Sequence, residues 1–181
     1  QKLTKKGIFL INLMSSPGSG KTTLLLRTIK DLKDRLAIGV VEADIASDVD
    51  AVKIEDAGAR SIQIHTDGMC HVDAGMTEKA LDEFHPEGLD LVFLENIGNL
   101  ICPAEFDTGA MKNVMILSVP EGDDKPLKYP LMFSKSQVLL VTKIDTLSVF
   151  DFDFDALRER VKRLNPDIQV FELSAKTGEG M

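Results

Sequence analysis

The stretch from Ile8 to Leu26, IFLINLMSSPGSGKTTLLL, constrains this chain more than any other. Six apolar-biased residues, Ile8 to Leu13, read as a strand covered on both faces, because such a strand needs no polar–apolar alternation. A Gly/Ser-rich turn follows, and Lys21-Thr22-Thr23 opens a helical run that continues from Leu24 to Arg35. Strand, phosphate-sized loop and helix N-terminus in that order form a nucleotide phosphate site. Its expected binding residues are Pro17, Gly18, Ser19, Gly20, Lys21, Thr22 and Thr23. Backbone N–H groups of Gly18 to Lys21 converge on the anion, Lys21 adds a point charge for the β- and γ-phosphates, and Thr22 offers a hydroxyl to Mg²⁺. The usual spacing is G-x-x-x-x-G-K-S/T; Gly20, Lys21 and Thr22 fit it, and Ser15 stands at the first glycine position.

The remainder alternates strand and helix without repeat or low-complexity linker. Strands are expected at Ala37–Val41, Ser61–Ile64, Leu89–Leu94, Lys112–Val119, Gln137–Val141 and Ile168–Leu173, and helices at Ala46–Gly58, His71–Phe84 and Phe154–Leu164. Pro120 to Pro130 reads as a turn-rich stretch. Such alternation predicts right-handed crossovers and an α/β fold, a doubly wound and mostly parallel sheet whose ligands gather at the strands' carboxyl ends. At 181 residues one such domain, spanning 1–181, is expected. Residue 1 is Gln, and the last strand is followed by a loop with no further element, so both ends are expected to be cut.

Composition narrows the partners. A net charge of −8 argues against a nucleic-acid face. No apolar run approaches the roughly 20 residues needed to cross a bilayer, and two cysteines in separate segments make no disulfide framework. A cytoplasmic protein is expected.

The strand-end motif Val141-Thr142-Lys143-Ile144-Asp145 and the later Ser174-Ala175-Lys176 select the base. Asp145 can accept from the ring N–H and exocyclic amine of guanine, a pair adenine does not offer, while the stem of Lys143 lies along the base and a backbone N–H of the Ser174–Lys176 loop meets the base carbonyl. These residues favour GTP over ATP. Most GTPases have Asn where this chain has Thr142, and a hydroxyl lacks the amide's two-ended hydrogen bonding, which softens selectivity.

Asp44 and Glu95 end two core strands expected to flank the phosphate loop. Each can hold Mg²⁺ or orient an attacking water, and with Lys21 they are the catalytic candidates. Glu95-Asn96-Ile97-Gly98 has E-x-x-G form, in which Gly98 offers its N–H to a γ-phosphate. Cys70, His71 and Cys102 suit a soft or borderline ion such as Zn²⁺ or Ni²⁺. On residue chemistry alone an isolated Cys is more often a small buried hydrophobe than a ligand, and adjacent Cys70 and His71 converge on one ion only where the backbone is not helical.

The motifs NLMSSPGSGKTTLL, VVEADI, GMCHVDAGM, LENIGNLICPAEFD, EGDDKPLKYPLMF and SAKTGEGM resemble, over essentially the whole chain, the HypB family of GTPases that serve nickel insertion during nickel–iron hydrogenase maturation. In that family Ser at the position of Ser15 is usual; Thr142 remains a departure. The resemblance implies a P-loop GTPase domain related to the urease accessory GTPase, dimerising on GTP. It implies a nickel or zinc site from residues matching Cys70, His71 and Cys102 of both subunits, and delivery to maturation proteins or the hydrogenase large subunit. The N-terminal cysteine- or histidine-rich nickel tract of some members has no counterpart in Gln1 to Gly7.

A mechanism follows. GTP orders the loops after Asp44 and Glu95, and only three residues separate Gly98 from Cys102, so ordering Gly98 moves a thiol ligand. Lys125 and Lys128 are positioned to reach a partner subunit or its nucleotide, or simply to face solvent. Three rival readings are a urease accessory GTPase, a small-molecule kinase and a zinc-stabilised dimerisation module with a weak nucleotide site. The kinase would need an arginine-rich lid, and the six arginines do not provide one.

Overall fold

The computed structural model describes residues 3, 7–43 and 48–181, with backbone alone at Asp48 and Val49. Asp44 and the first residues of the helix expected from Ala46 lie outside the described residues. Seven strands form one parallel sheet: β1 (Phe9–Ser15), β2 (Ile38–Glu42), β3 (Arg60–Gln63), β4 (Leu91–Glu95), β5 (Lys112–Ser118), β6 (Val138–Thr142) and β7 (Gln169–Glu172). Their spatial order is β3-β2-β4-β1-β5-β6-β7. The strands flanking β1 are therefore β4 and β5. Glu95 ends a neighbour of the phosphate loop as expected, but β2, the strand leading to Asp44, is one place further out, with β4 between.

The helices bounded within the described residues are α1 (Lys21–Leu32), α2 (Asp48–Ala57), α3 (Ala74–Phe84), α4 (Cys102–Glu105), α5 (Lys125–Lys128), α6 (Pro130–Ser134) and α7 (Phe154–Leu164). On one sheet face Leu13, Val40, Phe93 and Ile116 pack with Leu24, Leu25 and Ile29 of α1 and Ile54 of α2. The other face carries two clusters. Leu10, Val41, Val92 and Leu94 pack with Ala80, Leu81 and Phe84 of α3. Met14, Met115, Leu117 and Val141 pack with Met132 and Phe133 of α6 and Leu157 and Val161 of α7. Helices on both faces of a parallel sheet are the doubly wound arrangement that the near-continuous apolar strands predict.

Two expectations are corrected. The helix expected from His71 starts at Ala74, because the side chain of Asp73 accepts from Met76 N at 2.8 Å and caps it there. Cys70 and His71 are therefore in non-helical backbone. The stretch from Pro120 to Pro130 is also more ordered than a run of turns. A 3₁₀ turn over Val119–Glu121 is closed by a capping box between Ser118 and Glu121, and α5 and α6 each carry proline in the first turn. The short α4 was not expected; Asn99 Oδ1 nucleates it by accepting from Ile101 N at 2.7 Å and Cys102 N at 3.1 Å.

Candidate functional site

The phosphate loop occupies the turn between β1 and α1. Gly18 and Gly20 lie in the left-handed region (φ +75° and +91°), and Gly20 leads directly into α1, whose first turn holds no acidic side chain. A Cβ on Gly20 would stand 3.3 Å from the Lys143 side chain, so backbone and lysine stem are in close approach there. This gives an anion-ready helix N-terminus. Pro17, Gly18 and Thr23 are exposed, whereas Ser19 is buried. Lys21 is only 6% exposed, and its Nζ donates to the backbone carbonyl of Asn96, the residue after β4.

Thr22 Oγ1 donates to Glu95 Oε1 at 2.9 Å. Helix start and strand end thus bring a hydroxyl and a buried carboxylate together beside the loop, a pair of hard oxygen ligands that fits Mg²⁺. In the register between β2 and β4, Glu42 lies beside Glu95. Glu42 is fully buried; Ser61 Oγ donates to its Oε1 at 2.6 Å, while its Oε2 meets no hydrogen-bond partner among the described residues. Burial pushes its carboxyl above the ordinary value of 4.5 against the lowering effect of Ser61, and Asp50 and Glu55 push it further. Glu42 ends β2 inside the VVEADI motif, and nothing in that motif announces that its side chain is buried beside Glu95.

The loops expected to select the base lie over the same rim. Lys143, at φ +59°, sends its Nζ to the carbonyl of Gly18 at 3.0 Å. Thr142 Oγ1 donates to the carbonyl of Ser19 at 3.2 Å. Asp145 accepts from Ser174 Oγ at 2.6 Å, and that hydroxyl also accepts from Thr177 N at 3.1 Å. Arg27 of α1 reaches the carbonyl of Ala175 at 3.4 Å, and Lys176 next to it is exposed. Strand-end side chains from β6 and the loop after β7 are therefore tied to each other and to the phosphate loop.

Two further residues join this rim. Ser16 Oγ donates to Glu121 Oε1, while Glu121 Oε2 accepts from Ser118 N and Ser118 Oγ, both at 2.7 Å. The S-x-x-E spacing of Ser118 and Glu121 is a capping-box signature and was open to discovery in the sequence. Asn96 is the other, holding Lys21 through its carbonyl.

The thiol site is assembled in part. The neighbouring Cys70 thiol first, and burial next, hold the Cys102 thiol above its ordinary value. The ring of His71 instead stacks on Phe106, with centroids 3.5 Å apart and planes 8° from parallel. Among the described residues no set of three His, Cys, Asp or Glu side chains is gathered as a metal cage. Two soft sulfur donors do fit a borderline cation, with further ligands to come from a turned His71 or another chain. Of the lysines on α5, Lys128 pairs with Asp124 at 2.7 Å and Lys125 lies 5.9 Å from the Tyr129 ring centre. Among the described residues no helix is long and apolar enough to cross a membrane.

Comparison with known proteins agrees with this geometry. Residues 9–172 match the family described as "CobW/HypB/UreG, nucleotide-binding domain". The chain is 50% identical to the hydrogenase maturation factor HypB of Rhizobium leguminosarum bv. viciae over 98% of its own length and 59% of that protein's. It is 41% identical to the hydrogenase/urease maturation factor HypB of Helicobacter pylori, strain J99, over 97% of this chain and 74% of that one. The crystal structure of HypB from Helicobacter pylori in complex with nickel superimposes with a TM-score of 0.90 at 41% identity, covering 97% of this chain and 82% of that chain. The chain thus spans about three-fifths of the Rhizobium relative. The parallel sheet, the matched family model and these relatives agree on one assignment: the chain belongs to the HypB family of CobW/HypB/UreG nucleotide-binding domains.

Proposed function

We propose that this domain hydrolyses GTP and uses nucleotide state to control nickel held at Cys70 and Cys102. The observation that carries the reading is one short stretch of chain: the Glu95 carboxylate accepts from Thr22 at the phosphate loop, and Cys102, only seven residues on, stands near Cys70. Guanine selection falls to Asp145, aided by Lys143 and the loop Ser174-Ala175-Lys176. Lys21 leaves the Asn96 carbonyl for the phosphates, and Gly98 offers its N–H to the γ-phosphate. Magnesium held by Thr22, Glu95 and Asp44 would offset phosphate charge, with the two acids also able to orient the attacking water.

The nickel or zinc ligands are Cys70, His71 and Cys102. Two chains meeting across a two-fold axis would supply four sulfurs and two imidazoles, more than a tetrahedral site needs, and GTP would favour that dimer. The cargo would pass to nickel-accepting maturation proteins or the hydrogenase large subunit. A second reading, service to urease, is supported by the Helicobacter pylori relative, a hydrogenase/urease maturation factor.

Phosphate release with GTP and with ATP, each in Mg²⁺ and without an acceptor, tests the proposal. Slow release from GTP and little from ATP is expected. No release from either, with zinc still holding a dimer, would replace the GTPase with a dimerisation module.

A further inference from the structure

Asn12 lies in the middle of the central strand β1, where every other residue from Phe9 to Met14 is apolar, and is 1% exposed. It shares a sheet face with Leu10, which belongs to the α3 cluster, and with Met14, which belongs to the α6–α7 cluster. The amide therefore stands at the seam between two hydrophobic clusters. A buried amide is costly unless its polar atoms are paired, and this one is paired on both sides. Asn12 Oδ1 accepts from Asn96 Nδ2 at 3.0 Å, and Asn12 Nδ2 donates to Asn113 Oδ1 at 2.9 Å.

The chain of amides continues in both directions. Asn96 Oδ1 accepts from Ile97 N at 2.8 Å, and Asn113 Nδ2 donates to the carbonyl of Lys135, after α6, at 3.2 Å. Its two ends are a backbone N–H and a backbone carbonyl, groups whose roles cannot be exchanged. The orientation of all three side-chain amides is thereby fixed. Asn96 is held at two further points, through its N–H to the Leu13 carbonyl at 3.0 Å and through its own carbonyl to Lys21.

Beyond Ile97 the next fixed point is Asn99, whose side chain caps α4 and so moves with Cys102. Gly98 lies between these two anchors. We infer that the Asn113–Asn12–Asn96 amide relay is the fixed end of a hinge at Gly98, with Asn12 and Asn96 acting as positioning residues for the nucleotide-sensing loop. When Lys21 leaves the Asn96 carbonyl for a nucleotide, the relay keeps Asn96 and Glu95 in place, so that movement is confined to Gly98 and the Cys102 turn. This rests on the reading of Gly98 as the γ-phosphate contact.

Two measurements test the relay. In the first, the affinities of Asn12→Leu and Asn12→Asp for GDP and for a non-hydrolysable GTP analogue are compared with those of the unaltered chain in Mg²⁺. Asn12→Leu leaves Asn96 Nδ2 and Asn113 Oδ1 unpaired; it is expected to weaken the analogue about tenfold with GDP within about twofold. Asn12→Asp, whose carboxyl is kept protonated by burial and so accepts from Asn96 and donates to Asn113, is expected to restore most of the difference. Equal losses for both nucleotides, or no loss, would overturn the inference, since a merely structural role lowers both together. In the second, hydrogen exchange is followed in the nucleotide-free protein. The Ile97 amide, outside any strand, is expected to exchange at least about tenfold more slowly than the Gly98 amide; equal rates would overturn it. This readout decides the matter if the variants do not fold. If the unaltered chain does not distinguish the analogue from GDP, the Gly98 reading falls, and the exchange result alone judges the relay.

Discussion

Thr142 Oγ1 donates to the carbonyl oxygen of Ser19 at 3.2 Å, tying the end of β6 to the phosphate loop. Thr142 thereby supports the shape of the loop, which fits the proposal that Asp145 is the base contact. Thr142→Val, which keeps the shape and loses the hydroxyl, is expected to weaken GTP and GDP alike by about fivefold, the cost of one buried hydrogen bond. Isothermal titration with the two nucleotides checks this; a loss confined to one of them contradicts it.

Guanine recognition at Asp145 has a direct chemical test. An amide at this position offers a donor where the carboxylate offered only acceptors. Asp145→Asn is expected to lower affinity for GTP by at least about tenfold and to raise affinity for xanthosine triphosphate, which carries a carbonyl in place of the exocyclic amine. Competition binding with the two nucleotides gives the answer, and unchanged preference removes Asp145 from the base site.

The Thr22–Glu95 pair predicts how the reaction depends on magnesium. Glu95→Gln keeps the volume and the bond from Thr22 but removes the charge. The Mg²⁺ concentration for half-maximal GTP hydrolysis is expected to rise about 10- to 100-fold, as for other losses at a metal's ligands and their supports. Initial rates across a magnesium titration measure it.

Glu42 predicts a pH effect on stability. Its folded-state pKa is raised above 4.5, chiefly by burial, so the folded chain keeps a proton that the unfolded chain has released. Its contribution to stability therefore falls as pH rises from about 4.5 toward the folded value. Glu42→Gln removes that decline and is expected to raise Tm toward neutral pH, by about 2–4 °C for each kcal/mol recovered. Thermal unfolding of both proteins across this range checks the sign; parallel curves contradict it.

Much of the fold was legible in the sequence for a physical reason. Strands buried on both faces leave unbroken apolar runs, so β1, β2, β4, β5 and β6 were placed to within about three residues. The phosphate loop was legible because its glycines meet a backbone need that few other residues meet. Strand order was not, since apolar runs say nothing of which neighbours pair; β4 and not β2 proved to flank β1 on Glu95's side. The start of α3 was missed because a single cap, Asp73, outweighs the helical periodicity before it. Glu121 and Asn12 were missed for opposite reasons. The first belongs to a local cap that also serves Ser16, and the second is a polar residue that a strand tolerates only because Asn96 and Asn113 pair with it.

Nucleotide-controlled metal binding is the central claim, and it depends on the covalent path from Gly98 to Cys102. Nickel affinity should be measured by competition with a chromophoric chelator, with GDP and then with a non-hydrolysable GTP analogue bound, in the unaltered protein and in Cys102→Ala. The account predicts at least about a fivefold difference between the nucleotide states, the lower end of a coupling of 1–3 kcal/mol, and its disappearance in Cys102→Ala. A nucleotide-dependent difference that persists in Cys102→Ala, or none in the unaltered protein, would contradict it.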